Sequence, residues 1–226
     1  MIVRLAVLAV AGLLTAAGAW SPQESAGSAS LAIEISLELH RADRWQTVDN
    51  QTVFHNNDEI RFRFRTSFSG YLYVLDRTSS GENVWLFPRP GQGQMSRVEA
   101  GSEYLVPGTK GSFVVGGAPG FDVTYWVLSP VAIESPAAVP PAIGIQPSTL
   151  VPRCRTAELQ ARGICTDERA GPRPTQRVED APIRLSDSER LIARDLQFHT
   201  EAGSTRISAP YVRNGVVVYE FHIAHQ

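Results

Sequence analysis

Residues Gly70–Pro107 read GYLYVLDRTSSGENVWLFPRPGQGQMSRVEAGSEYLVP and decide the fold class of this chain. Two apolar runs, Tyr71–Leu75 and Val84–Phe87, flank a polar turn, and a Pro/Gly-rich loop then leads to a third apolar run, Tyr104–Val106. Short apolar runs bounded by Gly, Pro, Ser and Asn are typical of β-strands joined by turns. The stretch therefore predicts a β-meander.

The segments on both sides of this stretch repeat the β pattern. Leu31–Leu39 and Ile60–Thr66 alternate between apolar and polar residues, and Phe121–Ser129 is a further β-rich run. Alternation with a period of two residues is expected for a strand with one buried face. A series of short strands separated by turns predicts a mainly β domain over residues 31–129. We expect an antiparallel β-sandwich, immunoglobulin-like or similar, or a barrel.

The composition changes after residue 129. Residues 130–182 are rich in proline and lack periodicity, which predicts a connector with little regular structure. Cys154 and Cys165 are the two cysteines of the chain. An even pair in an exported chain is most simply a disulfide, so we expect these residues to close a loop within the connector.

Order is expected to return over residues 183–226. Ser186 followed by Glu189 is a capping-box pattern and predicts a helix that runs to about Thr200. Further on, the dipeptide Asn214-Gly215 lies between β-rich flanks and predicts a hairpin. We expect the helix and the hairpin to pack back on the sandwich.

The beginning of the chain carries an export pattern. Within residues 1–19, Arg4 precedes an apolar run and a small-residue cleavage pattern ends at Ala19. The apolar run is shorter than the roughly 20 residues that a membrane-spanning helix needs, so we expect a signal peptide followed by a flexible leader over residues 20–30. No later segment is long and apolar enough to span a membrane. The sequence therefore predicts an exported protein, periplasmic or secreted, without a transmembrane segment in the mature chain.

The net charge of the chain gives no indication of a nucleic-acid partner. The formal net charge is −2 over 226 residues. Proteins that bind nucleic acid through its phosphates present an excess of positive charge. The composition therefore gives no reason to expect nucleic acid as a partner.

The common catalytic motifs are missing. The sequence contains no G-x-S-x-G, no H-E-x-x-H, no Walker A loop and no G-x-G-x-x-G between a strand and a helix. His222 and His225 are three residues apart on a predicted strand, so their side chains are expected on opposite faces. His55, Asp58 and Glu59 form a polar cluster that we interpret as a solvated loop. The sequence predicts no catalytic residue, no cofactor and no metal site.

Three arginines form the most distinctive surface pattern. Arg61, Arg63 and Arg65 occupy the polar face of one predicted strand and are candidates for binding an anionic glycan or the carboxylates of a protein partner. The alternative is structural. Glu34 and Glu38 would then lie across from the arginines as cross-strand ion pairs, with arginine also protecting a sheet edge. We favour the structural interpretation.

Aromatic side chains offer a second candidate surface. Tyr71 and Tyr73 share one face of a predicted strand, and Trp85 lies on the next. Together with Phe87, Tyr125 and Trp126, they are candidates for a platform on which sugars stack, although large side chains are also what a sandwich core requires. Trp85 and the arginine row are the best candidate contacts.

The order of short motifs along the chain resembles the domain-of-unknown-function family 4384. The motifs are, in order, Gly70–Tyr73, Leu86–Pro88, Ala100–Gly101, Val106–Pro107, Phe113, Pro119–Gly120 and Phe121–Ser129. The upstream stretch Asp58–Phe62 is also similar to the opening of the family, and the resemblance covers roughly Val53–Pro130. It implies a β-sandwich accessory domain of the kind that accompanies bacterial caspase-like peptidases or serine/threonine kinases, or stands alone behind a signal peptide. It supplies no catalytic residue.

These observations lead to three functional hypotheses. The first is a non-catalytic, exported interaction module of the bacterial cell envelope, which binds an envelope or secreted protein partner. The second is a carbohydrate- or peptidoglycan-binding domain with an aromatic platform. The third is an unrecognised hydrolase, which the missing motifs disfavour.

Overall fold

The computed structural model describes residues 30–88, 96–108, 110–133, 150–154, 165–175 and 190–226. Regular structure in these segments consists of strands without a helix, which confirms the mainly β class. The strands are β1 (Ser30–Arg41), β2 (Arg44–Val48), β3 (Val53–Phe54), β4 (Glu59–Thr66), β5 (Gly70–Arg77), β6 (Asn83–Phe87), β7 (Arg97–Val98), β8 (Glu103–Val106), β9 (Phe113–Val114), β10 (Gly120–Ser129), β11 (Gly171–Pro174), β12 (Arg190–Ile192), β13 (Gln197–Glu201), β14 (Ser204–Pro210) and β15 (Gly215–His225).

The strands form two sheets. Sheet 1 has the order β13-β14-β1-β4-β8, with β2 also paired to β1 and β9 to β4. Sheet 2 has the order β11-β15-β10-β5-β6, with β3 and β12 also paired to β15 and β7 to β5. The strands β3 and β12 run parallel to β15, and the other described strand pairs are antiparallel.

The two sheets pack face to face around one aromatic core. Alternation in β1 and β4 directs one set of apolar side chains toward sheet 2, as the sequence predicted. The ring of Phe62 in sheet 1 contacts Trp126 at 5.1 Å and Phe221 at 5.0 Å between centroids, both edge-to-face. All three side chains are fully buried. The side chains on the other face of β4 do not enter this core, so they can carry charge.

The predicted meander is wrong at its third strand. The first two runs, β5 and β6, pair as expected, but β8 pairs with β4 in sheet 1. The chain therefore crosses from one sheet to the other between β6 and β8. In sheet 1 the ring of Tyr104 stacks on Phe64 at 5.4 Å between centroids, which gives the crossing strand an aromatic contact with the core.

The predicted C-terminal helix is also wrong. The described part of that segment, residues 190–200, contributes to two strands instead. β12 adds to β15, and β13 adds to β14. The sheets thus supply partners for the backbone of this segment, and tertiary pairing of this kind readily overrides a weak helical pattern.

The hairpin predicted at Asn214-Gly215 is wrong, because the strands on either side of it, β14 and β15, belong to different sheets. The hairpin in this region lies at Ala202 and Gly203, which join β13 to β14 and have φ values of 49° and 81°. Two positive φ values are what a two-residue type I′ turn requires. Beyond the crossing, β15 pairs with β10 along most of its length.

The region predicted as an irregular connector contains a strand. β11 pairs with β15 at the edge of sheet 2, although its sequence, GPRP, carries two prolines. Prolines are tolerated at sheet edges, where a missing N–H breaks no interior ladder. The predicted signal peptide, residues 1–19, and the leader up to residue 29 lie outside the described residues.

Candidate functional site

The arginine row lies on the outer face of sheet 1, with Glu34 and Glu38 opposite it on β1. We call this surface, around Glu34, Glu38, Arg61, Arg63 and Arg65, the charged face. In the register of β1 and β4, Glu38 lies opposite Arg61 and Glu34 opposite Arg65. Both carboxylates pair with arginines, as the structural interpretation predicted. Since β4 lies between β1 and β8, the row does not protect a sheet edge.

Glu38 is the buried centre of the charged face. Its carboxylate accepts hydrogen bonds from Arg61 Nε at 2.6 Å and from Arg63 Nε at 2.8 Å. Burial raises the pKa of Glu38, but the hydrogen bonds and charges of the two arginines outweigh burial, so the pKa lies below its usual value. Arg63 also pairs with Glu103. The side chains of Arg61 and Arg63 are therefore engaged in ion pairs that join the strands of sheet 1.

The exposure of the arginine side chains increases along β4. The exposed fraction is 11% for Arg61, 36% for Arg63 and 56% for Arg65. Arg65 donates a hydrogen bond to Glu34, which is itself 43% exposed, at 2.7 Å. Exposed ion pairs of this kind contribute about 0–1 kcal/mol to stability. Arg65 is thus the member of the row that is most available to another molecule.

The charged face extends across five strands through a transverse row of side chains. The register places His199, Arg206, Glu34, Arg65 and Glu103 side by side on β13, β14, β1, β4 and β8. Sequence reasoning missed Arg206, because its segment was not recognised as a strand of this sheet. The signal was present: Thr205, Ile207 and Ala209 alternate with exposed or half-exposed residues, as in β4.

Two shallow clefts flank the transverse row. The Arg206 cleft has a volume of about 220 Å³, and its lining includes Ala32, Glu34, Arg65, Ser67, Gly101 and Arg206. The Arg63 cleft has a volume of about 130 Å³, and its lining includes Glu34, Ser36, Arg63, Arg65, Glu103 and Ser204. Small side chains on β1 and β14, next to the large charged ones, leave this space open.

Trp45 is a further surface residue that sequence reasoning missed. It lies on β2 opposite His40, and the two ring centroids are 4.9 Å apart. The guanidinium carbon of Arg61 lies 4.0 Å from the centroid of the Trp45 ring, a cation–π contact. Trp45 thus covers the most buried arginine of the row. An isolated tryptophan in a short polar strand gave no periodic signal from which to infer this contact.

Of the aromatic candidates, Tyr71, Tyr73 and Trp85 lie on the outer face of sheet 2. Phe87 and Trp126 lie in the core between the sheets, so the prediction that they belong to a surface platform is wrong. Tyr73 is buried, and its hydroxyl contacts the backbone of Ile133, from whose N–H it accepts a hydrogen bond at 3.1 Å. Tyr71 and Trp85 are half-buried and pack against the same cluster. Tyr71 and Tyr73 share one face of β5, as predicted, and the structure adds Trp85 of β6 to the same cluster. Of these three residues, Tyr71 and Trp85 are partly exposed to solvent and Tyr73 is buried.

The cluster of polar side chains that most resembles a catalytic site lies where β5 and β15 end and β10 begins. Asp122 Oδ1 accepts a hydrogen bond from the backbone N–H of Ser79 at 2.6 Å and lies 3.3 Å from Nε2 of the buried His225. The hydroxyl of Ser79 donates instead to the carbonyl oxygen of Ala118. A nucleophile activated by histidine requires a serine–histidine hydrogen bond, and the contacts of the Ser79 hydroxyl supply a different one.

Asp76 adds a second carboxylate to this group. Its pKa is raised well above the usual value by burial and by the negative charge of Asp122. The Asp76 Oδ1 atom is buried and accepts no hydrogen bond from the residues around it that the structure describes. A buried carboxylate with an oxygen that lacks a donor destabilises the native state at neutral pH.

The histidines and carboxylates form no metal site within the described segments. His222 bonds to Glu220 at 2.8 Å, while His225 faces Asp122. His55 lies in a loop, where its backbone N–H donates to Asp58. No group of three or more potential ligands converges in the part of the chain that the structure describes.

The two cysteines form the predicted disulfide. Cys154 and Cys165 are bonded, with their Cα atoms 4.8 Å apart. Next to them, burial tends to raise the pKa of Asp167, but hydrogen bonds from Arg169 and from the backbone N–H of Arg153 outweigh it and lower the pKa to about 2.

The described residues include no helix of the length and apolarity needed to cross a membrane.

Comparison with known protein families finds a match to part of the chain. Residues 53–131 match the model of the family described as Domain of unknown function (DUF4384). This match confirms the resemblance seen in the sequence. The DUF4384 segment contains the arginine row and Tyr71, Tyr73 and Trp85, but it excludes β1 and β14, which carry Glu34 and Arg206. No curated protein and no solved structure matches the chain.

Proposed function

We propose that this chain is an exported, non-catalytic β-sandwich module that binds a protein partner of the cell envelope through the charged face. The observation that carries the proposal is the pair of exposed arginines, Arg65 and Arg206, within the transverse row. There, Arg65 is 56% exposed, and the exposed side chain of Arg206 has neither an ion pair nor a hydrogen bond with any described residue. Exposed arginines on a rigid sheet are suited to recognising carboxylates.

Two further observations support the exported and non-catalytic parts of the proposal. The disulfide and the signal-peptide pattern of residues 1–19 both fit an oxidising compartment. The backbone N–H of Ser79 bonds to the aspartate of the His225–Asp122 pair, but the hydroxyl of Ser79 donates to a carbonyl oxygen and not to the histidine.

The test is capture of the partner in cells of the native host. Tagged wild-type protein is crosslinked in the cells and the bound proteins are identified by mass spectrometry. We expect one reproducible envelope protein, and at least a tenfold loss of it with the double variant Arg65→Glu, Arg206→Glu. Arg97→Glu is the matched control, because Arg97 is also exposed and paired to a glutamate but lies in sheet 2. Equal recovery with the double variant would remove the charged face as the contact.

Binding of a glycan is a second candidate function, favoured by the half-exposed rings of Tyr71 and Trp85 on one cluster. The chain has four tryptophans, so a fluorescence titration with peptidoglycan fragments needs the variant Trp85→Leu as its reference. Quenching that saturates in the wild type and disappears in Trp85→Leu would support a sugar platform. Fluorescence that none of the fragments changes would count against it.

A further inference from the structure

The Arg206 cleft contains unequal numbers of positive and negative groups. Two arginines, Arg206 and Arg65, face one carboxylate, Glu34, from the strands on either side of it. Because neighbouring strands are about 4.8 Å apart, the Cα atoms of the two arginines are separated by roughly 10 Å. Glu34 bonds to Arg65 at 2.7 Å, whereas no carboxylate in the described segments pairs with Arg206. The cleft thus has one positive charge in excess.

The lining of the cleft supplies a further donor. The Ser67 oxygen accepts a hydrogen bond from the backbone N–H of Ala32 at 2.9 Å, and its own hydroxyl hydrogen has no acceptor among the residues described. Gly101 opens the other side, since nothing lies within 4 Å of where its Cβ would be. A volume of about 220 Å³ corresponds to roughly seven water molecules at about 30 Å³ each, enough for a carboxylate side chain.

The chemistry of the lining distinguishes between possible occupants. Neutral sugars commonly stack against aromatic rings, and the residues that line the Arg206 cleft include no aromatic side chain. Guanidinium and hydroxyl donors without a ring match a carboxylate instead. An acidic protein segment that lies along the sheet would present such a side chain at its surface.

We propose that the Arg206 cleft binds a glutamate or aspartate side chain of an acidic protein segment, held by Arg206, Arg65 and the hydroxyl of Ser67. This inference rests on the proposed function, whose partner it describes chemically. It makes Arg206 the specificity-determining residue of the charged face. Arg61 and Arg63, which Glu38 already holds, take no part in the recognition.

The experiment is an NMR titration of the disulfide-intact, ¹⁵N-labelled protein. The probes are a blocked hexapeptide of alternating glutamate and alanine, its glutamine counterpart, a hexamer of galacturonic acid, and acetate. We expect the glutamate peptide to shift the amide signals of Ser67 and Gly101, with an affinity at least tenfold above that of the glutamine peptide. Arg206→Gln should weaken binding about tenfold, which corresponds to 1.4 kcal/mol. Arg97→Gln should leave it unchanged, and Arg206→Lys should restore part of it.

Each other outcome overturns the inference in a distinct way. Unchanged binding by Arg206→Gln would reject the cleft as the site. Tighter binding of the galacturonic acid hexamer would assign the cleft to an acidic glycan, and equal binding of acetate would reduce it to an unspecific anion site. The inference can also fail while the proposed function stands. Capture in cells that is lost with Arg65→Glu alone but retained with Arg206→Glu alone would keep the charged face and reject the cleft.

Discussion

Replacing Glu38 with glutamine tests whether buried charge pairing holds sheet 1 together. The substitution keeps the shape of the side chain and removes its negative charge. Arg61, which is 11% exposed, then loses its only carboxylate among the described residues, whereas Arg63 is 36% exposed and keeps Glu103. The cost should therefore come mainly from one covered arginine that is left without a counter-charge.

The magnitude follows from burial. Removing one partner of a fully buried ion pair costs about 3–5 kcal/mol. The partial exposure of Arg63 lowers the cost below that range, because water can solvate its charge. The cation–π contact between Arg61 and Trp45 is present in both proteins and cancels in the difference. We expect Glu38→Gln to lower the free energy of unfolding by about 2–3 kcal/mol. For a chain of this size that corresponds to a decrease in Tm of roughly 4–12 °C.

The matched control is Glu34→Gln. Glu34 lies on the same strand and makes the same kind of bond to an arginine at 2.7 Å, but both side chains of that pair are exposed by more than 40%. An exposed pair contributes at most about 1 kcal/mol, so this variant should lose no more than about 1 kcal/mol, or about 4 °C in Tm. Urea unfolding followed by tryptophan fluorescence measures both variants. Equal losses would show that burial does not set the strength of these pairs.

The pH dependence supplies an independent check. Because the native pKa of Glu38 lies below its usual 4.5, its pairing stabilises the protein above about pH 4.5 and is lost as the pH falls through the native pKa. The stability difference between wild type and Glu38→Gln should stay constant from pH 7 to 5 and shrink below pH 4.5. A difference that persists in acid would mean that the charge is not its cause.

Three further predictions concern other parts of the fold. Asp76→Asn should stabilise the protein at pH 7 by about 1–3 kcal/mol, because burial and a neighbouring carboxylate raise the pKa of Asp76. Wild-type stability should fall as the pH rises from about 3.8 through the raised native pKa, so the gain should vanish below about pH 4; a gain that is equal at both pH values would contradict this cause. Replacing Cys154 and Cys165 with serine should cost about 3 kcal/mol, the value expected for a loop of this length, and an unchanged midpoint of urea unfolding would show that the loop keeps its structure without the disulfide. Gly203→Ala should cost about 1–2 kcal/mol more than Gly101→Ala. Both glycines have positive φ, but only at Gly203 would the new Cβ meet a backbone oxygen, at 2.9 Å; equal losses in thermal unfolding would refute the steric argument.

What the sequence could predict of this fold was the direction in which side chains point. Strict alternation in β1 and β4 placed the apolar residues inside and Glu38 and Arg61 outside, because a strand has a period of two residues. The partner of each strand was harder to predict. Tyr104–Val106 looked like the third strand of a meander, but pairing between sheets depends on contacts across the core that no local pattern records.

The predicted helix shows the same limit. Leu191, Ile192 and Leu196 fit one stripe of a short helix, yet they lie in or beside strands whose backbone bonds come from β14 and β15. The candidate site depends on pairing of the same kind, since Arg206 faces Glu34 only because β14 pairs with β1. Trp45 and Asp76 were missed for a different reason: each is a single residue whose role depends on its neighbours in space.

The position of the family match bears on which strands form the functional unit. The DUF4384 segment, residues 53–131, supplies β3 to β10, but in both sheets the strand next to its longest members comes from outside it. β1 pairs with β4 in sheet 1, and β15 pairs with β10 in sheet 2. Without these two strands, the segment would expose unpaired backbone along β4 and β10 as well as the core side chains that β1 and β15 cover. In this chain the flanking strands complete the sheets, and they also bring Glu34, Glu38 and Arg206 to the arginine row, so the charged face is a property of the whole described fold.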